Sequence, residues 1–308
     1  MSQASAPVSV PKLAIDETGD ERTITFNNWK ITATKKSIVT ASEGDELQKK
    51  LGFPLPEMTF GSNGLTLIHT PSQTKYIFNT PAALERVKNG ELGPGDGAVK
   101  VGYADEWLKS RTQPGSALPL PKTVPTKPYD WTYTTVYAGH SEPELKFTPA
   151  DPENPTHKIP LAELTRPDPI LFYDSIPLFE DELHDNGSSH LTIRIRVMPG
   201  CIFILSRFTL RVDNVLFRTF DTRIYHSFSS SPPLLVRESS GWEAPYDAVK
   251  QFLPNKNDLT PLTDPNFIGQ TLANLPKSVS QRKGAETGWR ALGTKTEVVE
   301  LATPQTSL

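Results

Sequence analysis

The sequence predicts a β-dominated α+β fold, in which antiparallel sheets pack as an open sandwich beside a few short helices. Three observations predict it. Residues Leu191 to His226 read as three consecutive strands, LTIRIRV, CIFILSRFTLRV and VLFRTFDTRIYH, separated by Met198-Pro199-Gly200 and Asp213-Asn214. A second hairpin, LTLIHT and KYIFNT, turns around Pro71-Ser72-Gln73. Every helical window is short.

The elements follow in chain order. Met1 to Asp20 is small, polar and acidic, and is expected to be disordered. Thr23 to Thr40 alternates through Ile24, Phe26, Trp29 and Ile31 as one or two strands. Glu43 to Leu51 suits a short helix, and Pro81 to Lys88 suits another, with proline in its first turn. Asp105 to Ser110 is a further helical candidate. Thr112 to Pro128 holds prolines that remove donors and fix the backbone, so it reads as a loop insert. WTYTTVYAG resumes strand alternation, with Trp107, Trp131 and Tyr133 read as packing residues, and Leu145 to Phe147 is a weaker strand signal. The proline-broken stretch from Asp151 to Pro169 leads to ILFYDSIPLFEDELHD and the meander, and Tyr246 to Phe252 suits a helix. Past Phe267 no period remains. One domain is expected over residues 21–267, with 268–308 a disordered tail.

Side chains alternate across a strand, so the faces of the meander can be counted. If Val197 opposes Cys201 and Val212 opposes Val215, one face collects Ile193, Ile195, Val197, Cys201, Phe203, Leu205, Phe220 and Ile224. The other collects Arg194, Arg196, Asp221, Arg223 and Tyr225 around Ile202, Ile204 and Ser206. On this count the apolar side changes beyond Ser206. Phe208, Leu210, Val212, Val215 and Phe217 join the charged face, and Arg207, Thr209, Arg211 and Arg218 lie opposite, which predicts a bend or bulge. One side is a core and the other a cationic platform around a single carboxylate.

Composition narrows the function classes. The chain has 308 residues, 36% apolar, and 29 prolines, about twice the usual share, so a real core is diluted by proline-rich loops. A net charge of -3 gives no global attraction to nucleic acid or to an anionic membrane, and neither is expected as a partner. No apolar run reaches the roughly 20 residues of a membrane helix, and no signal-like stretch opens the chain. One cysteine, Cys201, excludes an internal disulfide framework and suits a reducing compartment, so cytosol or nucleus is expected, with the chain acting as a monomer. Asn186-Gly187-Ser188 matches a glycosylation acceptor but reads as a turn.

Reactive-site motifs are weak. Cys201 follows Pro-Gly at a strand start and reads as a buried small hydrophobe, and no Gly-x-Ser-x-Gly elbow occurs. Thr59-Phe60-Gly61-Ser62-Asn63-Gly64 lacks the spacing and Lys-Ser/Thr of a phosphate loop. A metal-dependent hydrolase would need His184, Asp185, Asp221 and His226 to converge, with His190 near, although the six histidines are scattered. The run Glu180, Asp181, Glu182 is either a solvated surface or a docking rim. Asp221 and Arg223, with Arg194 two strands away, form either an intra-sheet ion-pair network or a binding site. In a binding site, arginine forks capture carboxylates, Asp221 orients them, and Phe220 and Tyr225 line the cleft. The charged platform argues against a lipid- or peptide-carrying sandwich.

Several of these segments together resemble the TIPRL family of Tip-forty-one-like TOR-pathway regulators. The matching stretches are LPEMTFGSNGLTLIH (Leu55 to His69), FNTPAAL (Phe78 to Leu84), EWLKSR (Glu106 to Arg111) and KPYDWTYTTVYAG (Lys127 to Gly139). LFEDELHDNG (Leu178 to Gly187) and the run from Ile193 to His226 complete them, over most of residues 50–226. The chain departs from the family's acidic residue near Ala82 and its small turn residue near Asn214. The resemblance implies a non-enzymatic regulator, without cofactor, that binds catalytic subunits of type 2A-like serine/threonine phosphatases. It also implies a link to TOR signalling, in yeast-like organisms through a Tap-type phosphatase adaptor. The segment matching Phe220-Asp221-Thr222-Arg223 is the one associated with phosphatase binding in that family. The joined expectation is that Arg194, Arg196 and Arg223 receive an acidic or C-terminal carboxylate segment of the phosphatase.

Overall fold

The computed structural model describes residues 14–89, 132–165, 167, 169–275 and 290–301. Two antiparallel sheets, neither closed into a barrel, share one core. The six-stranded sheet is built from β1 (Ala14–Thr18), β2 (Glu21–Phe26), β3 (Trp29–Thr34), β5 (Gly64–His69), β6 (Thr74–Asn79) and β7 (His140–Glu142), neighbours in that order. The eight-stranded sheet runs β4 (Met58–Thr59), β9 (Phe172–Asp181), β10 (Gly187–Met198), β11 (Cys201–Val212), β12 (Leu216–Ser227), β13 (Leu234–Pro245), β14 (Arg290–Glu300) and β8 (Thr148–Pro149). The β-dominated α+β class read from the sequence is the class observed.

The short helices begin where local chemistry starts them. Thr40 and Glu43 form a reciprocal capping box ahead of α1 (Ala41–Leu51), and Gly52 closes it in the left-handed conformation that costs glycine little. Asn79 accepts from the Ala82 amide at 2.9 Å to start α2 (Thr80–Asn89). One-turn α3 (Leu161–Leu164) and α4 (Tyr246–Lys250) follow. Asp264 caps α5 (Pro265–Asn274), which docks with α4 on Phe217 and Ala244 of the larger sheet.

The meander's register departs from the predicted count by one residue at each turn. Met198, not Val197, opposes Cys201, across the two-residue turn Pro199-Gly200. Val212 opposes Leu216, across three residues, with Asn214 at φ 60° taking the left-handed position a glycine would fill freely. The consequence is confined to β11. Ile202, Ile204, Ser206, Phe208, Leu210 and Val212 all lie on the side of Ile193, Ile195 and Val197, and all are buried. The predicted change of face beyond Ser206 is therefore absent. Arg207 and Arg211 stay on the outer face throughout, whereas Arg218 points inward, buried, and pairs with Glu243 at 2.6 Å.

Three further expectations are corrected. WTYTTVYAG is not a strand in its described part, residues 132–139. It threads irregularly through the interior, where side chains replace a ladder: Ser189 donates to the Thr132 carbonyl, Ser206 to that of Tyr137, and Tyr76 to that of Ala138. Ala14–Thr18 and Arg290–Glu300 are strands, so ordered structure extends beyond residues 21–267 on both sides. The first is an exposed edge strand, and the second carries few apolar residues, so neither shows strong hydrophobic periodicity. Cys201 is buried as expected, but on the outer face, beneath Ile159 and Leu234. The helical candidate at 105–110, the insert at 112–128, Trp107 and Trp131 lie outside the described residues. No helix of the described residues is long and apolar enough to cross a membrane.

Two polar devices tie the sheets together. Asp174 on β9 is 2% exposed and holds Lys35 at 2.6 Å and Arg22 at 3.1 Å, both from the smaller sheet's side. Replacing Asp174 with alanine should destabilise the fold by about 2 kcal/mol, discounted because both partners are partly solvated. Urea unfolding measures this, and an unchanged midpoint would remove the clamp from the account. Trp29 on β3 packs between His69 at 5.0 Å and His226 at 5.1 Å, the latter on β12. Burial pushes the His226 imidazole down to about 4 from 6.5, because its charged form is poorly solvated there. The unfolded chain binds this proton near pH 6.5 and the folded chain does not, so stability falls as pH drops from 6.5 to about 4 and then levels. His226→Phe should flatten stability over that window by up to about 3 kcal/mol relative to the parent. Parallel pH slopes for the two proteins would contradict it.

Candidate functional site

Strand parity alone brings most of the predicted platform together. Arg194, Leu205, Arg223 and Glu238 form one row across β10 to β13 on the outer face of the larger sheet. Arg196, Phe203, Tyr225 and Val236 form the next. Thr192, Arg207, Asp221 and Ser240 form the row on the other side. Arg194, Arg196, Asp221, Arg223 and Tyr225 thus share a face, with Phe203, Leu205 and Arg207 between them instead of Ile202, Ile204 and Ser206.

Asp221 is the buried centre, at 4% exposure. Arg207 grips it with two bonds, Nε to Oδ1 at 2.7 Å and Nη2 to Oδ2 at 2.8 Å, and Arg223 Nη2 adds a third at 2.8 Å. Parallel guanidinium bonds of this kind fix the carboxylate's orientation as well as its charge. Burial works against the charge of Arg207, and bonding to Asp221 outweighs it, so its pKa is raised. Arg223 also reaches Glu238 at 3.0 Å and Ser240 Oγ at 3.1 Å, so it bridges two carboxylates. Among the described residues neither Arg194 nor Arg196 has an acidic partner, and both are half-buried. Four arginines against Asp221 and Glu238 leave the three rows cationic.

The ends of this face are covered differently. Toward α5, a groove of about 290 Å³ lies between Arg207, Asp221, Arg223 and Thr219 on the sheet and Asn266, Gly269 and Gln270 on the helix. Toward the other end, residues 154–163 and the serine-rich turn after β12 frame a groove of about 680 Å³ with Tyr225 in its wall. Tyr225 is itself mostly buried beneath Ile159, and burial and nearby Cys201 and Glu163 push its hydroxyl up to about 12.

Phe220 does not belong to this face. It points into the sandwich, 7% exposed, stacked on Phe208 at 6.0 Å. The four residues of the hydrolase reading do not converge either. His226 faces inward, its Nδ1 2.9 Å from the Leu234 carbonyl, whereas Asp221 faces outward. His184 and Asp185 sit on a left-handed turn between β9 and β10 (φ 57° and 64°). Among the described residues no group of three or more His, Cys, Asp or Glu side chains could hold a metal. Of the acidic run, Asp181 is buried and accepts from the Leu183 and Glu57 amides, and Glu180 lies 3.7 Å from His190. Arg207, which the predicted register placed on the wrong face, is the residue the sequence reading missed. Reading Asp213-Asn214-Val215 as a three-residue turn brings it opposite Asp221.

This geometry defines a two-sheet β protein that presents an arginine-rich sheet face, ordered around one buried carboxylate and flanked by grooves. The chain belongs to the TIP41-like family, whose model matches residues 58–250. A human TIP41-like protein is 39% identical over 255 residues, covering 82% of this chain and 85% of the relative. The type 2A phosphatase activator TIP41 of Saccharomyces cerevisiae is 38% identical over 266 residues, covering 82% and 72%. The type 2A phosphatase activator tip41 of Schizosaccharomyces pombe is 36% identical over 242 residues, covering 78% and 89%.

Arg207→Met should cost about 3 kcal/mol of folding stability, because it strips a buried carboxylate of its main partner. Adding Asp221→Asn should recover more than half of that loss. Strictly additive losses in urea unfolding would show that the two side chains are not coupled.

Proposed function

We propose that this protein is a non-catalytic regulator that binds the catalytic subunit of type 2A-like serine/threonine phosphatases and acts in TOR signalling. The names of the two yeast relatives, type 2A phosphatase activators, support the phosphatase as partner. The single structural observation behind the docking surface is the pair Arg194 and Arg196, on the same face as Arg223 one strand beyond Leu205, and lacking acidic partners among the described residues. A segment of the phosphatase bearing carboxylates, or its free C-terminal carboxylate, complements that pair, and bidentate geometry favours arginine over lysine for it.

The division of labour within the platform differs from the sequence expectation. Arg223 is already bound to Asp221 and Glu238, so it shapes the surface and adds field, while Arg194 and Arg196 make the new bonds. Asp221 orients Arg207 and Arg223, not the partner directly. In yeast-like cells a Tap-type phosphatase adaptor is a further proposed partner, and the protein is proposed to work as a monomer in the cytosol, with a nuclear share.

Arg194→Glu combined with Arg196→Glu should weaken binding to a purified type 2A catalytic subunit at least tenfold, with the unfolding midpoint preserved. Wild-type affinity should also fall with added salt, as for any pair of complementary charged surfaces. Titration calorimetry that finds equal affinity for the double variant would remove this face from the interface.

A further inference from the structure

The neighbours of Arg194 and Arg196 define what these two cations can hold. Each stands opposite a hydroxyl-bearing residue on β9: Arg196 opposite Tyr173, and Arg194 opposite Ser175. On the other side they face Phe203 and Leu205 of β11. Alternate residues on a strand lie about 6.6 Å apart, and opposed side chains start about 5 Å apart. Two guanidiniums and two hydroxyls therefore rise from one small patch of the outer face, beside an apolar border.

Among the described residues none of these four side chains makes a hydrogen bond or an ion pair, and Tyr173 and Ser175 bond only through backbone atoms. Tyr173 is 47% exposed, and Ser175 and both arginines are half-buried. The acidic side chains around them are already taken. Asp174, between Tyr173 and Ser175 in sequence, turns to the opposite face and holds Lys35 and Arg22. Glu238, in the row of Arg194, is bonded to Arg223. Like charges two residues apart on a half-buried strand face repel each other and lose hydration, so folding gains nothing from this pair. Such a cost marks a place where function overrides packing.

The patch thus offers two guanidiniums and two hydroxyls, and no carboxylate. A carboxylate has one charge and two oxygens, which one arginine fork satisfies, leaving the second guanidinium unmatched. A phosphate monoester carries about −1.5 to −2 charges at pH 7 and three acceptor oxygens, so it matches both guanidiniums and keeps an oxygen for a hydroxyl. We propose that this patch recognises a phosphoserine or phosphothreonine within the partner's acidic segment, clamped between Arg194 and Arg196, so that phosphorylation of the partner tightens docking. The inference rests on the docking face of the proposed function and adds a regulator to it. The chain's net charge of -3 supplies no attraction to an anionic membrane, which favours a phosphoprotein over a phospholipid as the source.

Calorimetric titration of the full chain with the blocked peptide Gly-Glu-Xaa-Glu-Gly tests this, with phosphoserine, glutamate or serine as Xaa. The phosphoserine peptide should bind about tenfold more tightly than the glutamate peptide, and inorganic phosphate far more weakly than either. Arg194→Gln combined with Arg196→Gln should abolish the preference while the unfolding midpoint holds. Equal affinity for the phosphoserine and glutamate peptides, or a preference that survives the double variant, overturns the proposal. So does inorganic phosphate that binds as tightly as the phosphopeptide, or capture by phosphatidic acid vesicles in place of the peptide. The docking reading fails separately, if the double variant binds unphosphorylated catalytic subunit as tightly as wild type. No peptide preference, with phosphatase binding still lost in the double variant, sinks the phosphate reading alone.

Discussion

Pairing register in the β10–β12 meander is the constraint on which the remaining structure depends. Side chains alternate with a period of two, so one residue of slippage exchanges the two faces of a strand. The turns at Pro199-Gly200 and Asp213–Val215 hold β11 with Phe208 and Leu210 toward the smaller sheet and Arg207 toward solvent. If the second turn lost a residue while β11 kept its pairing with β10, β12 would slip by one: Asp221 would enter the sandwich and Phe220 would leave it. Asn214 in the left-handed conformation supports the longer turn, because its short polar side chain tolerates that region better than most residues do.

From this register the electrostatics follow. Arg207 is directly opposite Asp221, and Arg223 lies two residues along the same face, so three charges meet without any loop having to place them. Strand-borne groups are held by the ladder on both sides, and this rigidity lets a carboxylate at 4% exposure remain bonded in three directions. The network is structural in its centre and available at its border. Arg207 and Asp221 satisfy each other, whereas Arg194 and Arg196 on β10 carry surplus charge toward solvent. The local field of this face is therefore fixed by the strand ladder itself.

The sequence made the hairpins and short helices legible because each has a local cause: alternation over five or six residues, a capping box, a proline in a first turn. The composition of the charged face was legible for a less obvious reason. Both turns were misjudged by one residue in the same sense, and the two shifts cancel between β10 and β12, so Arg194 remains level with Arg223. Only β11, between them, was inverted, and with it Arg207 was lost from view. Residues 132–139 alternate like a strand, but their carbonyls bond to Ser189, Ser206 and Tyr76 side chains, which no local pattern announces. β14 was illegible because Lys295 and Glu297 occupy inward positions and only Val299 meets the core from that side, so it shows no apolar stripe to recognise.

Strand β12 serves two surfaces at once. Its odd-numbered residues from Thr219 to Tyr225 build the outer charged face, and its even-numbered residues Phe220 and Thr222 line the space between the sheets. A continuous motif such as Phe220-Asp221-Thr222-Arg223 is therefore two interleaved sets of side chains separated by the thickness of one backbone. Substitutions at alternate positions of such a motif act on different environments: Asp221 and Arg223 on an ion network, Phe220 and Thr222 on the inner face, where Phe220 stacks on Phe208. The strand also couples the two surfaces mechanically, since any shift in its ladder moves both sets together. On the neighbouring β13 and β14 the faces are mixed: Leu235 and Val299 join the main core beside the inward Arg237–Glu297 pair, while Val236 and Val298 lie outside under a separate cover. What looks in one dimension like a single motif is, in three, the shared wall between an arginine-rich outer face and the apolar core.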